Sequence, residues 1–234
     1  MTESDQGQGG PQTPLETLGI MASQQGLLSP HLRQVEMYTR RGLLSLLWHE
    51  PEQQTHKFGV VMVGGAMGGT LGPGNGLYND LGHALTSVGI PSIRLSYRKP
   101  NDMDSCCVDT AAAVQLLVGS GADRVVLMGH SFGGAVAIRV AVGLSEMVAG
   151  VVTFATQSAG CEVAGGLQGK PLLMFHGDND SILPADASEV VRAIAGTGDL
   201  RIMEGDDHLL TNSHDVMLEE VLQWMKKLIE GIEQ

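Results

Sequence analysis

Three short segments carry residue types that together could perform nucleophilic catalysis. The first is Gly129-His-Ser-Phe-Gly133, the second is His176-Gly-Asp-Asn-Asp180 and the third is Glu204-Gly-Asp-Asp-His208. A serine hydroxyl is a weak nucleophile until an imidazole removes its proton, and a carboxylate can hold that imidazole in the required tautomer. The segments therefore predict acyl transfer at Ser131, with an acid from the second segment and a base from the third.

The serine segment lies where a nucleophile turn requires it. It follows the β-branched run Arg124-Val-Val-Leu-Met128 and precedes the small-residue run from Gly134 to Gly143, which predicts a strand, a sharp turn and a helix. Small residues on both sides let the strand and helix backbones approach closely. The chain contains 32 glycines, so the five-residue pattern alone is weak, and its strand-to-helix setting makes it informative.

The acid and base segments each leave a rival candidate. Asp180 is favoured over Asp178, because an aspartate at the earlier position commonly ties down its own turn. His208 is favoured over His214, which falls in the predicted first turn of the last helix, where polar residues usually cap. His130, beside the serine, is expected to pack rather than to titrate in the reaction.

Strands and helices alternate along most of the chain. The predicted strands are 31–38, 42–48, 58–63, 90–97, 125–128, 148–155, 171–175 and 200–203. The predicted helices are 77–88, 104–118, 134–143, 185–195 and 216–229. This alternation predicts a mostly parallel sheet of about eight strands with helices on both faces, a three-layer α/β/α sandwich. Ligands of such sheets bind at the carboxyl ends of the strands, where the three segments lie.

These segments, in this chain order, resemble the motifs of the α/β-hydrolase superfamily, especially its lidless dienelactone-hydrolase-like serine esterases. The resemblance covers residues 58 to the C-terminus. It implies Ser131 as nucleophile, Asp180 as acid and His208 as base in a triad that cleaves carboxylic esters through an acyl-enzyme. Thioesterase, amidase or peptidase activity would use the same groups, and a non-catalytic binding protein with this fold is a further alternative.

The resemblance also implies an oxyanion hole built from backbone amides. The expected donors are the amides of Phe132 and Ala66, the latter in the glycine-rich loop Gly64 to Gly76. Many family members have His-Gly before the second donor, where this chain has Gly64-Gly65, so Met67 remains an alternative donor. The connection over 155–170 is too short for a cap domain, which predicts an open site for soluble or short-chain esters.

No cofactor or metal is expected. The His and Asp residues of the second and third segments lack the spacing of a His-Glu-x-x-His or calcium-loop site, and the glycine-rich loop lacks the ending of a phosphate-binding loop. The three cysteines lack an activating motif and are expected to be small buried apolar residues. Arg94, Arg98 and Lys99 could attract an anionic substrate, although surface charge on a loop is the expectation for them.

Composition narrows the partners and the location. A formal charge of -12 and a pI near 4.9 disfavour nucleic acid and anionic membranes as partners. No apolar run is long enough to span a bilayer, and no signal peptide is recognisable, so we expect a cytoplasmic protein without membrane insertion. The expected substrate is a small ester or thioester, and the chain is a candidate homodimer.

The domain organisation is predicted to be simple. Residues 1–30 read as a flexible tail, because residues 6–14 are rich in Gly, Gln and Pro, with a short helix near 15–25. Residues 31–234 are expected to form a single domain, beginning with an antiparallel hairpin.

Overall fold

The apolar runs of the sequence form the central strands of a nine-stranded sheet in the computed structural model, which describes residues 12–233. The strands are β1 (Ile20–Ser29), β2 (Leu32–Thr39), β3 (Gly42–His49), β4 (Phe58–Val63), β5 (Ser92–Ser96), β6 (Arg124–His130), β7 (Val148–Phe154), β8 (Leu172–Gly177) and β9 (Asp199–Met203). The helices are α1 (Pro14–Leu18), α2 (Leu77–Ser87), α3 (Met103–Gly119), α4 (Phe132–Gly143), α5 (Asp186–Ala195) and α6 (His214–Glu233).

The sheet places the carboxyl ends of six parallel strands at one edge. Its strand order is β1-β2-β3-β5-β4-β6-β7-β8-β9. The first four strands in this order, β1, β2, β3 and β5, pair antiparallel with one another. From β5 to β9 in the same order, all neighbouring strands pair parallel. The loops that follow β4, β6, β8 and β9 therefore open on the same side of the molecule, which agrees with the predicted mostly parallel sheet.

Helices cover both faces of the sheet and create two apolar cores. One core packs the sheet against α3, α4 and α5, and the other packs it against α2 and α6. Strands β4, β7 and β8 are buried along their whole length, because neither of their faces meets solvent. This is the predicted three-layer sandwich. Among residues 12–233, no helix is both long enough and apolar enough to cross a bilayer.

The N-terminal segment differs from the predicted flexible tail of residues 1–30. The helix over 15–25 is shorter than expected, because Gly19 ends it with a left-handed φ of 61°. Residues 20–29 then form β1, which pairs antiparallel with β2 and supplies the ninth strand. All ten β1 residues are exposed, so the strand is held by backbone pairing and lacks the apolar pattern that would have revealed it. Residues 1–11 of the predicted tail lie outside the described residues.

The connection between β7 and β8 is short, as predicted. It contains a single 3₁₀ turn at Ala164–Leu167, and the described residues include no cap domain over the sheet edge. The predicted N-terminal hairpin is also present as β2 and β3, joined at Arg40 and Arg41. The carboxyl edge of the sheet is therefore left open to solvent.

The start of α4 packs directly on the end of β4. A Cβ atom added to Gly133 would lie 2.3 Å from the Gly64 carbonyl oxygen and 2.8 Å from that of Val63. Such separations are shorter than van der Waals contact, so only glycine allows this approach. The contact sets the position of the glycine-rich loop relative to the turn that carries Ser131.

This packing predicts unequal effects of two glycine substitutions in the same helix. Gly133→Ala should lower the free energy of unfolding by about 1 to 3 kcal/mol, because the backbone must shift to admit the methyl group. Gly143→Ala is the matched control, since its added Cβ meets nothing within 4 Å. It should be neutral or stabilising by up to about 1 kcal/mol. Urea unfolding of both variants measures the difference, and equal stabilities would contradict the close contact.

Candidate active site

Ser131 lies on a strained turn between β6 and α4. Its backbone has φ 55° and ψ −119°, a conformation that non-glycine residues rarely adopt. The turn is tight enough that a Cβ atom added to Gly129 would lie 2.0 Å from the Gly133 carbonyl oxygen. The two glycines of the motif thus let the chain reverse sharply and leave the serine side chain at the carboxyl end of the sheet.

The structure brings the three predicted triad residues into one hydrogen-bonded line. His208 Nε2 lies 3.0 Å from Ser131 Oγ, and His208 Nδ1 lies 2.7 Å from Asp180 Oδ2. Because an ionised carboxylate only accepts hydrogen bonds, Nδ1 carries the proton and Nε2 is free to accept from the serine hydroxyl. Each side chain comes from a different strand end, following β6, β8 and β9.

Asp180 is buried and held by donors on both oxygens. Its Oδ1 accepts from the backbone amides of Ile182 at 2.9 Å and Leu183 at 2.8 Å. Burial raises the pKa of Asp180, but the hydrogen bonds from Leu183, His208 and Ile182 lower it by more, so that the net pKa falls below its ordinary value. The carboxylate is therefore ionised at neutral pH and able to orient His208.

The rival acid and base lie in other interactions. Asp178 is exposed, and its Oδ1 accepts from the Gly205 amide at 2.7 Å, which ties the loop after β8 to the loop after β9. His214 lies 3.1 Å from Asp80 on α2 and 2.9 Å from the neighbouring Asp215. Neither rival is hydrogen-bonded to the residues of the line that contains Ser131.

His176 contacts the same carboxylate oxygen as His208, an interaction with Asp180 that sequence reasoning did not identify. This buried histidine places Nε2 at 2.9 Å from the Leu183 carbonyl oxygen and 3.2 Å from Asp180 Oδ2. Since both partners are acceptors, Nε2 carries the proton, and Nδ1 faces the Ser188 hydroxyl at 2.7 Å. The spacing of four residues between His176 and Asp180 within one turn was the available signal.

Two further buried residues hold the loop that carries His208. His130 Nε2 donates to the His208 backbone carbonyl at 2.9 Å, and burial lowers the pKa of His130 to about 4. Asp206 Oδ1 accepts from the backbone amides of Asp207 at 3.1 Å and Asn212 at 3.2 Å. Sequence reasoning expected His130 to pack, and it did not single out Asp206.

The glycine-rich loop and the serine line a cleft of about 510 Å³. A Cβ added to Gly65 would lie 3.5 Å from Ser131 Cβ, so the loop runs against the serine. The Gly68 amide donates to the Gly65 carbonyl at 2.9 Å, which closes a turn around Ala66 and Met67. Within residues 12–233, the amides of Ala66, Met67 and Phe132 donate to no protein acceptor. These amides are thus free for a ligand oxygen, and both Ala66 and Met67 remain candidates.

The three basic residues considered for anion binding are engaged elsewhere. Arg94 is buried and donates to the Thr70 carbonyl at 3.3 Å. Arg98 forms a buried ion pair with Asp109, and Lys99 forms an exposed ion pair on the surface. None of them lines the cleft. In addition, no cluster of three or more His, Cys, Asp or Glu side chains in the described part of the chain is arranged to hold a metal ion.

The cysteines lie away from the cleft. Cys106 and Cys161 are buried, and burial is the main cause that raises the pKa of each thiol to about 12. Burial likewise raises the pKa of Cys107. Because the thiolate is the reactive form, these thiols are poor nucleophiles at neutral pH.

The sequence of the chain is similar to that of a known protein family. The model of the dienelactone hydrolase family matches residues 93–216, just over half of the chain. No curated protein matches the sequence.

Solved structures share the fold at low sequence identity. Dienelactone hydrolase from Anabaena variabilis is 15% identical with a TM-score of 0.72, and the match covers 84% of this chain and 98% of that one. Est1E from Butyrivibrio proteoclasticus is 15% identical with a TM-score of 0.70, covering 84% of this chain and 99% of that one. An α/β serine hydrolase without lid from Xanthomonas campestris is 15% identical with a TM-score of 0.68, covering 87% and 98%. These likenesses support the α/β-hydrolase fold without a cap.

The burial of His130 predicts a pH dependence of stability. Its pKa is about 4 in the folded state and about 6.5 in an unfolded chain, so the unfolded state binds more protons between these values. Its contribution to stability is therefore complete above pH 6.5 and is lost as the pH falls towards 4. In His130→Gln, the decrease in the free energy of unfolding between pH 6.5 and 4 should be smaller by up to about 3 kcal/mol.

Urea unfolding of wild type and variant at several pH values measures this difference. A decrease remains in the variant, because burial, together with the nearby Arg94, also lowers the pKa of His49, to about 3. His31→Gln, which replaces an exposed histidine, is the control. An unchanged pH profile in His130→Gln would contradict a buried neutral imidazole at this position.

Proposed function

Because the chain belongs to the dienelactone hydrolase family, and is thus a hydrolase, we propose that it cleaves carboxylic esters through an acyl-enzyme formed on Ser131. The observation that carries the proposal is the continuous hydrogen bonding from Ser131 Oγ through His208 to the ionised Asp180. This line ends in an open cleft bordered by backbone amides that are free to bind an oxyanion. The combination has the parts that acyl transfer by a serine requires.

In the first half of the reaction, His208 Nε2 accepts the Ser131 hydroxyl proton while Oγ attacks the ester carbonyl carbon. The carbonyl oxygen becomes an oxyanion, which the amides of Phe132 and Ala66 stabilise by hydrogen bonds. The intermediate then collapses, and the protonated His208 gives its proton to the leaving alcohol oxygen. The products of this half are the free alcohol and an ester between the acyl group and Ser131.

In the second half, a water molecule replaces the alcohol. His208 Nε2 accepts a proton from the water as its oxygen attacks the acyl carbon, and the same two amides hold the second oxyanion. Collapse breaks the bond to Ser131 Oγ, which regains its proton from His208, and the carboxylic acid is released. Throughout, Asp180 stabilises the positive charge on the imidazole without becoming protonated.

The alternatives differ from this proposal in the bond that is cleaved, or in cleaving none. Thioester, amide and peptide hydrolysis would use the same residues, and no cap domain among the described residues limits which of these substrates can enter the cleft. A non-catalytic binding protein would be expected to show a defect in the line or in the oxyanion amides. The cytoplasmic location and the homodimer stay predictions from the sequence.

The proposal predicts that Ser131→Ala abolishes activity. The variant should hydrolyse p-nitrophenyl acetate with a kcat/KM about 10⁴-fold or more below wild type, because no other group can form the acyl-enzyme. A fluorophosphonate probe should label the wild type once and leave the variant unlabelled. Ser213→Ala, at a serine on the loop before α6, is the control and should keep both activity and label. Equal turnover by wild type and Ser131→Ala would exclude Ser131 as the nucleophile.

Two neighbouring aspartates provide a matched test of the acid. Asp180→Asn should lower kcat/KM by about 10³- to 10⁴-fold, because an amide no longer fixes the His208 tautomer or stabilises its cation. Asp178→Asn should stay within about threefold of wild type, since its side chain only accepts from the Gly205 amide. The pH profile of kcat/KM should change in the first variant alone. A comparable loss in both would contradict the specific role of Asp180.

A further inference from the structure

Four apolar side chains around Ser131 face solvent. Met67 is 93% exposed, Leu71 63%, Ile182 69% and Leu209 55%. All four line the cleft that contains Ser131 and His208. Single exposed apolar side chains are normal on protein surfaces, whereas a cluster of them around a cleft indicates a surface that binds an apolar ligand. We call these four residues the apolar rim.

The cleft has no charged side chain of Asp, Glu, Lys or Arg among its lining residues in the described part of the chain. The absence of charge from the cleft is not a result of composition, because the chain contains 14 basic and 26 acidic residues. An anionic substrate group would lose hydration there without gaining a counter-ion. The formal charge of -12 adds a long-range repulsion of anions. The chemistry of the cleft therefore fits an uncharged ligand.

The direction of proton transfer separates Leu209 from Met67 and Leu71 within the apolar rim. His208 must protonate the leaving oxygen, so the leaving group lies towards the base, beside Leu209. The acyl chain extends away from the base, towards the glycine-rich loop that carries Met67 and Leu71. The same loop carries both candidate oxyanion amides, those of Ala66 and Met67, and runs beside the serine, since a Cβ added to Gly65 would lie 3.5 Å from Ser131 Cβ.

We propose that Met67 and Leu71 form an acyl site that selects uncharged, apolar acyl chains longer than acetyl. The proposal rests on the proposed function, because it assigns an acyl group to the site at which Ser131 reacts. It adds a substrate class, which the triad and the oxyanion amides leave undetermined. Burial of a methylene against such side chains raises binding by up to about fourfold, and by about twofold when the methylene is half-buried.

The test compares three p-nitrophenyl esters that share one leaving group. The hexanoate has four more methylenes than the acetate. If each half-buried methylene contributes about twofold, the kcat/KM of the hexanoate should be about tenfold or more above that of the acetate. The monoester of adipic acid has the same chain length but ends in a carboxylate, and its kcat/KM should be at least tenfold below that of the hexanoate. All three are used at concentrations where they remain monomeric.

A double variant locates the selectivity. Met67→Ser combined with Leu71→Ser should lower the hexanoate-to-acetate ratio of kcat/KM at least fivefold. Met147→Ser is the matched control and should keep the wild-type ratio, because this half-exposed methionine precedes β7 at the opposite edge of the sheet. Since the ratio is measured within each variant, differences in the amount of folded enzyme cancel.

The outcomes distinguish failure of the acyl site from failure of the proposed esterase function. Acetate hydrolysis that depends on Ser131, together with an equal or lower rate on the hexanoate, would overturn the acyl site and leave the esterase function standing. The same holds if the adipate monoester is cleaved as fast as the hexanoate, or if the double variant keeps the wild-type ratio. Failure to cleave any of the three esters would overturn both proposals.

Discussion

The arrangement of the rest of the site depends on the buried carboxylate of Asp180. A desolvated negative charge is costly unless donors surround it, and here four N–H groups do so. Two are the backbone amides of Ile182 and Leu183, and two are the ring nitrogens of His176 and His208. Satisfying this one charge orders the loop after β8 and aligns an imidazole with the serine.

The same requirement links elements that are distant in the chain. His176 stands at the end of β8 and reaches the start of α5 through Ser188, while His208 belongs to the loop after β9. His130 at the end of β6 fastens that loop by its backbone. The carboxylate is thus the common anchor of the loops after β8 and β9 and, through His176 and Ser188, of the start of α5. The nucleophile turn at the end of β6 meets this anchor through His208.

The sequence was most informative where residue type and burial coincide. The apolar runs at β4, β7 and β8 predicted strands, and the order of serine, aspartate and histidine predicted which strand ends would meet. It was uninformative for β1, whose ten exposed residues follow no buried face and whose pairing depends on backbone groups that every residue carries. The sequence therefore predicts about eight strands, and the structure adds β1 from within the predicted tail.

The candidate site shows the same division. Ser131, Asp180 and His208 could be selected because their chemistry is specific to their types. The supporting contacts of Asp206 could not, and that of His176 is indicated only by its four-residue spacing from Asp180, because both depend on which way a buried side chain turns once the loops are folded. Likewise, the choice between Ala66 and Met67 as an oxyanion donor depends on an amide direction, and no side chain encodes it.

The way in which His130 holds the base loop has one more consequence. It donates its hydrogen bond to the main-chain carbonyl of residue 208, whereas the ring nitrogens of that residue contact Ser131 and Asp180. Every amino acid offers the same carbonyl, so the scaffold and the proton acceptor are separable parts. Truncation of the His208 side chain would therefore leave the loop in place and open a cavity beside Ser131, into which a small exogenous base could bind.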